Sequence, residues 1–291
     1  MSRTPHARGS RQGSCARRRW PYDPYLGFAG FSAGRQVLAE RCSQLAQVQR
    51  LAQQNRRAGI ERLGFDISPF PGGATHWRRI VALLDGHGID CLFDVGANVG
   101  QYARAIRSNG YAGRIVSFEP LSAAHAEVSA RAAVDPNWQV ADRVALGAAP
   151  GETEINISGE SDMSSIRQLD ATARTRLASS RTTGRETVAV TTVAAALAAH
   201  ASPEDRVFVK SDTQGYEDRL LDGIGSAWDR VAGIQLELSL QPIYEDQPDH
   251  LPLLERLAEQ GLRPHLVIPG YWSRHYGRML EYDVVCFRDR D

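Results

Sequence analysis

The chain has 291 residues, is 42% hydrophobic, and carries Lys+Arg 34 against Asp+Glu 34, so it has no formal net charge. That length suits one large α/β domain with an appendage, and the neutral balance gives no global field of the kind that draws a nucleic-acid partner. The four cysteines (Cys15, Cys42, Cys91, Cys286) stand far apart with no CxxC and no metal-ligand spacing. A reduced, cytoplasmic protein is therefore expected.

Residues 1–20 are rich in Arg, Ser and Gly without apolar periodicity, a composition that stays disordered because it has no face to bury. The following "PYDPYLGFAGFSAG" is broken by Pro, Asp and Gly, which argues against a signal peptide. No run has the apolar length of a membrane span, so contact with a membrane is at most peripheral, through the basic tail. From 34 to about 57, apolar residues recur at helical spacing and predict an amphipathic helix that packs on the domain or on a second subunit of a homodimer. Residues 1–20 thus read as a basic tail, 21–75 as a helical appendage and 76–291 as the main domain.

From residue 76, strand-like and helix-like runs alternate. "CLFDV" (91–95) precedes a helix over 99–109, and "RIVSFEP" (114–120) precedes one over 122–133. "WQVADRVAL" (138–146) leads to "GETEINIS" (151–158) and a polar stretch. "ETVAVTTV" (186–193) precedes an Ala-rich helix ending near His200, and "RVFVKSD" (206–212) precedes a helix over 215–222. "VAGIQLEL" (231–238) leads to a helix over 251–260, then "RPHLVIP" (263–269) and "EYDVVCFR" (281–288). The alternation predicts a Rossmann-like, doubly wound, mostly parallel sheet. The link between the last two strands is too short for a crossover helix, so these should pair antiparallel. That is the usual shape of class I methyltransferases.

Ligands of such sheets lie at the carboxyl ends of the strands. Four predicted ends carry acids: Asp94, Glu119, Asp212 and Glu237. Gly96 and Gly100 allow a tight turn and close backbone approach, and the next helix aims its free N–H groups there. "GANVG" lacks the full dinucleotide spacing, and an acid before the glycines suits a cationic ligand better than a pyrophosphate. Glu119 stands about 20 residues on, where an acid accepts ribose hydroxyls. S-adenosyl-L-methionine meets that description.

"LFDVGANVGQYARAIRSNGYAGRIVSFEP", "VALG", "VFVKSDTQGYEDRLLDG", "LELSLQPIYEDQP" and "GRMLEYDVVCFR" together resemble the FkbM-type methyltransferase family, from about residue 77 to 288. The resemblance implies methyl transfer from S-adenosylmethionine, mostly to hydroxyls of sugars, glycolipids and polyketide-like natural products; actinobacterial members acting on glycolipid sugars look closest. Two positions depart from the family pattern. Val193 and Ala194 replace a frequent Leu-Asp pair, which touches a helix-cap contact, and Ser211 replaces an aliphatic residue, which touches local packing.

By the same resemblance, Asp94, Gly96, Ala97, Asn98 and Gly100 form the methionine-side loop and Glu119 holds the ribose. Asp142 meets the adenine amino group beside the backbone of Val144 or Ala145, although an exposed strand-end acid is an equal alternative for Asp142. Methyl transfer to an alcohol needs alignment above all and a route for the hydroxyl proton, by a general base or a divalent metal. Asp212 is the candidate base. Lys210, two residues back on the same face, would lower its pKa or simply form an ion pair with Asp212 or Glu237. Glu237 could share a metal with Asp212, on the weak evidence of two carboxylates.

His265 reads as a core histidine and His125 as a surface one. His275 sits in the aromatic loop "YWSRHYGR", which would stack on sugar rings or form a solvated hairpin tip. "SGESDMSSIRQL" (158–169), with Ser164 and Ser165 in the family pattern, reads as a flap over the substrate or an unstructured insertion. Two other classes stay open: an NAD-dependent oxidoreductase, and a non-catalytic homologue that keeps the cofactor fold.

Overall fold

A computed structural model describes residues 75–158, 165–167, 182–273 and 276–289. The expected basic tail, the helix over 34–57, His275 and Ser164 lie outside the described residues. A seven-stranded sheet forms the centre, built from β1 (Cys91–Val95), β2 (Arg114–Phe118), β3 (Trp138–Val140), β7 (Val207–Ser211), β8 (Val231–Ser239), β9 (Leu262–Pro269) and β12 (Glu281–Arg288). Their order across the sheet is β3-β2-β1-β7-β8-β12-β9. β12 lies between β8 and β9 and runs antiparallel to both; β1, β2, β3, β7 and β8 pair parallel. The expected antiparallel closing pair, β9 with β12, is present, and β12 is the member that inserts between β9 and β8.

All five residues of β1 and of β7 are buried, as strands covered on both faces must be. Side-chain alternation splits the interior in two. Cys91, Phe93 and Val95 of β1 join Val207 and Val209 of β7 on one face. There they meet α4 (Val193–His200), α5 (Glu217–Asp222) and α6 (His250–Glu259). Leu92, Ile115 and Phe208 face the other way, against α1 (His76–Gly86), α2 (Gln101–Ser108) and α3 (Ser122–Ala132). Ile80 and Leu84 of α1, one turn apart, are fully buried, each contributing about 1.5–3 kcal/mol of apolar burial.

"WQVADRVAL" is not one strand. The chain breaks at 141–143, and β4 (Val144–Leu146) joins a second sheet of order β4-β6-β5, with β5 at Gly151–Ser158 and β6 at Thr182–Thr191. Asp142 and Arg143 sit exposed at the break. His265 also departs from expectation. It is exposed on the edge strand β9, as are Arg263 and Pro264, and its ring meets Phe287 edge-on. His125 is half-buried, with Nε2 2.9 Å from the Ala141 carbonyl. The cap of α4 is made by Thr192, whose Oγ1 accepts from the Ala195 N–H; the atypical Val193–Ala194 pair leaves it intact. A short hairpin of β10 (Trp272–Ser273) and β11 (Arg278–Met279) links β9 to β12. Among the described residues no helix is long and apolar enough to cross a membrane.

Candidate cofactor and active site

At the carboxyl ends of β1, β2 and β7 a cleft encloses about 700 Å³, part of it open to solvent. Gly96, Asn98 and Gln101 line it from the first turn, Glu119 to Leu121 from the end of β2, and Asp212 to Gln214 with Tyr216 from the end of β7. The second sheet supplies Val144 to Leu146 and Ile155 as an apolar wall. Of the residues expected from sequence, Gly96, Asn98, Glu119, Ala145 and Asp212 meet here.

Glu119 is 4% exposed. Its Oε2 accepts from the Asn98 N–H at 2.7 Å and its Oε1 from the Leu121 N–H at 2.8 Å. Burial raises its pKa, and the two N–H donors oppose the rise. The Asn98 backbone is left-handed, with φ 47°, which an Asn tolerates better than most residues. Gly96 is held by geometry: a Cβ there would stand 2.0 Å from the Asp212 carbonyl oxygen, and its φ is +71°. The ends of β1 and β7 touch at this point.

Four residues expected at the ligand stand elsewhere. Asp94 is fully buried and does not line the cleft. Register aligns it with Ser117 on one side and Lys210 on the other, and Lys210 with Gln235, so these four form a polar row on the face covered by α1 and α2. Ser117 donates to Asp94 Oδ2 at 3.4 Å, and Lys210 Nζ lies 3.5 Å from Asp94 Oδ1. Ala97 packs in the core beside them. Gly100 faces Trp138 and Val128, where a Cβ would meet the indole ring at 2.8 Å; its left-handed backbone caps α2. Asp142 is exposed and outside the cleft lining.

Lys210 is 5% exposed and pairs with both Asp94 and Asp212, the latter at 3.3 Å. Its ammonium also stands 5.1 Å from the centre of the Tyr102 ring. Burial alone would lower its pKa, but the two carboxylates raise it. Burial pushes Asp212 up; Lys210 and the Gln214 amide more than offset this and hold it below the ordinary carboxylate value. Glu237 lies outside the cleft lining, and burial, then Asp212 and Glu281, drive it well above the usual range.

Gln214 was not singled out by the sequence. Its Nε2 donates to Asp212 Oδ1 at 2.9 Å and to Glu237 Oε2 at 2.7 Å, while its Oε1 accepts from the Tyr244 hydroxyl at 2.9 Å. The backbone is left-handed there (φ 53°) and Gly215 follows at φ +89°, with the Tyr244 ring filling the space of a Cβ. The positive-φ pair Gln214–Gly215 was a signal in "TQG" that could have been read. The expected metal pair is therefore bridged by an amide. Among the described residues no group of three His, Cys, Asp or Glu side chains is arranged for a metal.

Three solved structures illustrate what the chain is similar to. The METTL16 methyltransferase domain matches at TM-score 0.43 and 10% identity, over 74% of this chain and 66% of that one, so the chain spans just under two thirds of that relative. An rRNA methylase from Streptococcus thermophilus matches at TM-score 0.40 and 10% identity, over 77% and 99%. A precorrin-6y C5,15-methyltransferase from Geobacter metallireducens matches at 0.35 and 12%, over 73% and 87%. No curated protein sequence matches. The Methyltransferase FkbM domain profile matches residues 94–264, the span from the first glycine turn through Glu119 and the Asp212 loop to β9; the chain belongs to the FkbM methyltransferase family.

Proposed function

We propose that the acceptor is a hydroxyl on a sugar, glycolipid or polyketide-like natural product. Glu119 is the observation that supports the cofactor end of this reading. Each of its oxygens accepts one backbone N–H, which leaves a lone pair on each for two neighbouring ribose hydroxyls. Gln101, at the amino end of α2, faces the cleft where a ligand carboxylate would meet free N–H groups. Phe118, Leu121, Val144 and Leu146 offer apolar walls for a planar base.

S-adenosylmethionine supplies a methyl group on positively charged sulfur. The chain's residues supply alignment and a place for the proton. Asp212 lines the cleft and accepts the hydroxyl proton as it leaves. Lys210 behind it keeps it ionised, and Gln214 fixes its second oxygen. Asp94 acts through Lys210, beneath the ligand and out of contact with it.

Calorimetry with S-adenosylhomocysteine tests the cofactor end, with NAD as the competing ligand. Glu119→Ala should weaken S-adenosylhomocysteine by about 1–3 kcal/mol, the loss of a charged hydrogen-bond partner. Unchanged affinity, or tighter binding of NAD, would sink the assignment. A panel of rhamnosyl and fucosyl glycolipids then tests the acceptor.

A further inference from the structure

Ser165 and Ile166 line the cleft, and the segment 165–167 is held between β5 and the Gln214 loop. On one side the backbones of Ser165 and Asn156 exchange hydrogen bonds, Asn156 N–H to Ser165 O at 2.9 Å and Ser165 N–H to Asn156 O at 3.2 Å, which ties the tripeptide to β5. On the other side Ser165 Oγ donates to the Gln214 carbonyl at 2.7 Å. Ser165 and Ile166 both line the cleft, and Ile166 packs on the small apolar cluster of the second sheet beside Leu121. Leu121 is also the residue whose N–H holds Glu119.

Arg167 fastens this segment. Its Nη2 donates to both carboxylate oxygens of Asp218 on α5, at 2.9 and 2.8 Å, and its Nη1 donates to the Asp246 carbonyl in the loop after β8. The guanidinium stands 5.8 Å from the centre of the Tyr216 ring, another wall of the cleft. The Arg167 side chain is 8% exposed, so the pair is screened far less than a surface bridge. Asp218 and Asp246 lie 51 and 79 residues further along the chain. One side chain thus ties together three separate segments, one of which lines the cleft.

We infer that Arg167 is a positioning residue for the cofactor: anchored on Asp218, it holds Ile166 and Ser165 in the cleft wall and retains S-adenosylmethionine there. The inference rests on the cofactor reading of the cleft. Arg167 itself touches no ligand. Its contribution is to hold the wall formed by Ser165 and Ile166 in place, and a contact of that kind acts mainly on the rate of ligand escape. The Ser165–Gln214 bond passes the same constraint to the loop that orients Asp212 and Glu237.

The test uses the full chain and S-adenosylhomocysteine, with dissociation followed by stopped flow and affinity by calorimetry. Arg167→Ala should release the ligand roughly tenfold faster, with little change in association. Asp218→Asn should act in the same direction but less, because the Asp246 contact remains. The double variant should be no worse than Arg167→Ala alone, in which the Asp218 contact is already lost. Arg167→Lys should recover part of the loss, since a point charge replaces a two-pronged donor. If Arg167→Ala does not fold, Arg167→Lys and Asp218→Asn carry the same comparison. A bridge that only stabilises the fold would lower the melting temperature and leave the dissociation rate alone. That result, with the wild type binding normally, overturns the inference and leaves the cofactor reading standing. A wild type that binds no S-adenosylhomocysteine overturns the cofactor reading, and this inference with it.

Discussion

Lys210 Nζ lies 3.5 Å from Asp94 Oδ1, with the two side chains 6% and 0% exposed. The acid that opens the glycine turn is therefore a buried counter-ion and belongs to the sheet. Removing one partner of a buried pair leaves an uncompensated charge, which costs about 3–5 kcal/mol. Asp94→Ala should lower stability in urea by that order, softened by the second carboxylate that Lys210 keeps in Asp212. Folded Asp94→Ala protein should still bind S-adenosylhomocysteine with nearly wild-type affinity. Weak binding with undiminished stability would place Asp94 against the ligand after all.

Gly96 and Gly277 have similar left-handed backbones, φ +71° and +61°, but different surroundings. A Cβ on Gly277 meets nothing within 4 Å, while one on Gly96 meets the Asp212 carbonyl oxygen at 2.0 Å. Gly277→Ala should cost only about 1 kcal/mol, the backbone preference alone. Gly96→Ala must also push β7 away from β1, so it should cost several-fold more and disturb the cleft. Equal melting temperatures for the two variants would contradict the contact between strand ends.

Asp212 is the carboxylate that both lines the cleft and pairs with Lys210. Asp212→Asn should keep affinity for S-adenosylhomocysteine while turnover falls by roughly 10²-fold or more, the range of a lost general base. EDTA separates the two proton routes. Inhibition reversed by Mg²⁺ or Mn²⁺ would favour a metal, and indifference would favour direct transfer. Near-normal turnover in Asp212→Asn would move the role to another group.

Glu217 is 3% exposed, and burial raises its carboxyl from 4.5 to about 7, against hydrogen bonds from Thr213 and with Asp212 adding to the rise. Because the folded-state pKa is the higher one, its stabilising contribution is complete below about pH 4.5 and is lost as pH rises through about 7. That shift corresponds to about 3 kcal/mol between the two ends of the window. Glu217→Gln keeps an acceptor for Thr213 and removes the titration. Its unfolding free energy should therefore fall less than the wild type's between pH 4.5 and 8. Identical pH dependence in the two proteins would show that Glu217 titrates normally.

Much of this site was legible because it is written in local terms. An apolar run ending in an acid, then glycines, predicts a strand, a tight turn and a helix, and β1, Gly96 and α2 stand there. Glu119 follows the next apolar run and Asp212 ends the motif "KSD"; both reach the cleft. The short link before β12 implied an antiparallel closing pair, and β9 and β12 form one.

Local sequence placed most strands and the turns after them to within a residue or two, because strand length and turn chemistry are properties of neighbouring residues. It could not decide which way the strand-end residues point. Side chains alternate along a strand, and the face on which Asp94 falls is the one covered by α1 and α2, where Lys210 waits on β7. Gly100 was equally ambiguous: a glycine for a ligand and a glycine for the Trp138 ring look alike until β3 is in place. The amide of Gln214 between Asp212 and Glu237, and Arg167 on Asp218, join segments 23 and 51 residues apart. Only the packed sheet brings those atoms within hydrogen-bond distance, because the contacts depend on which distant segments become neighbours.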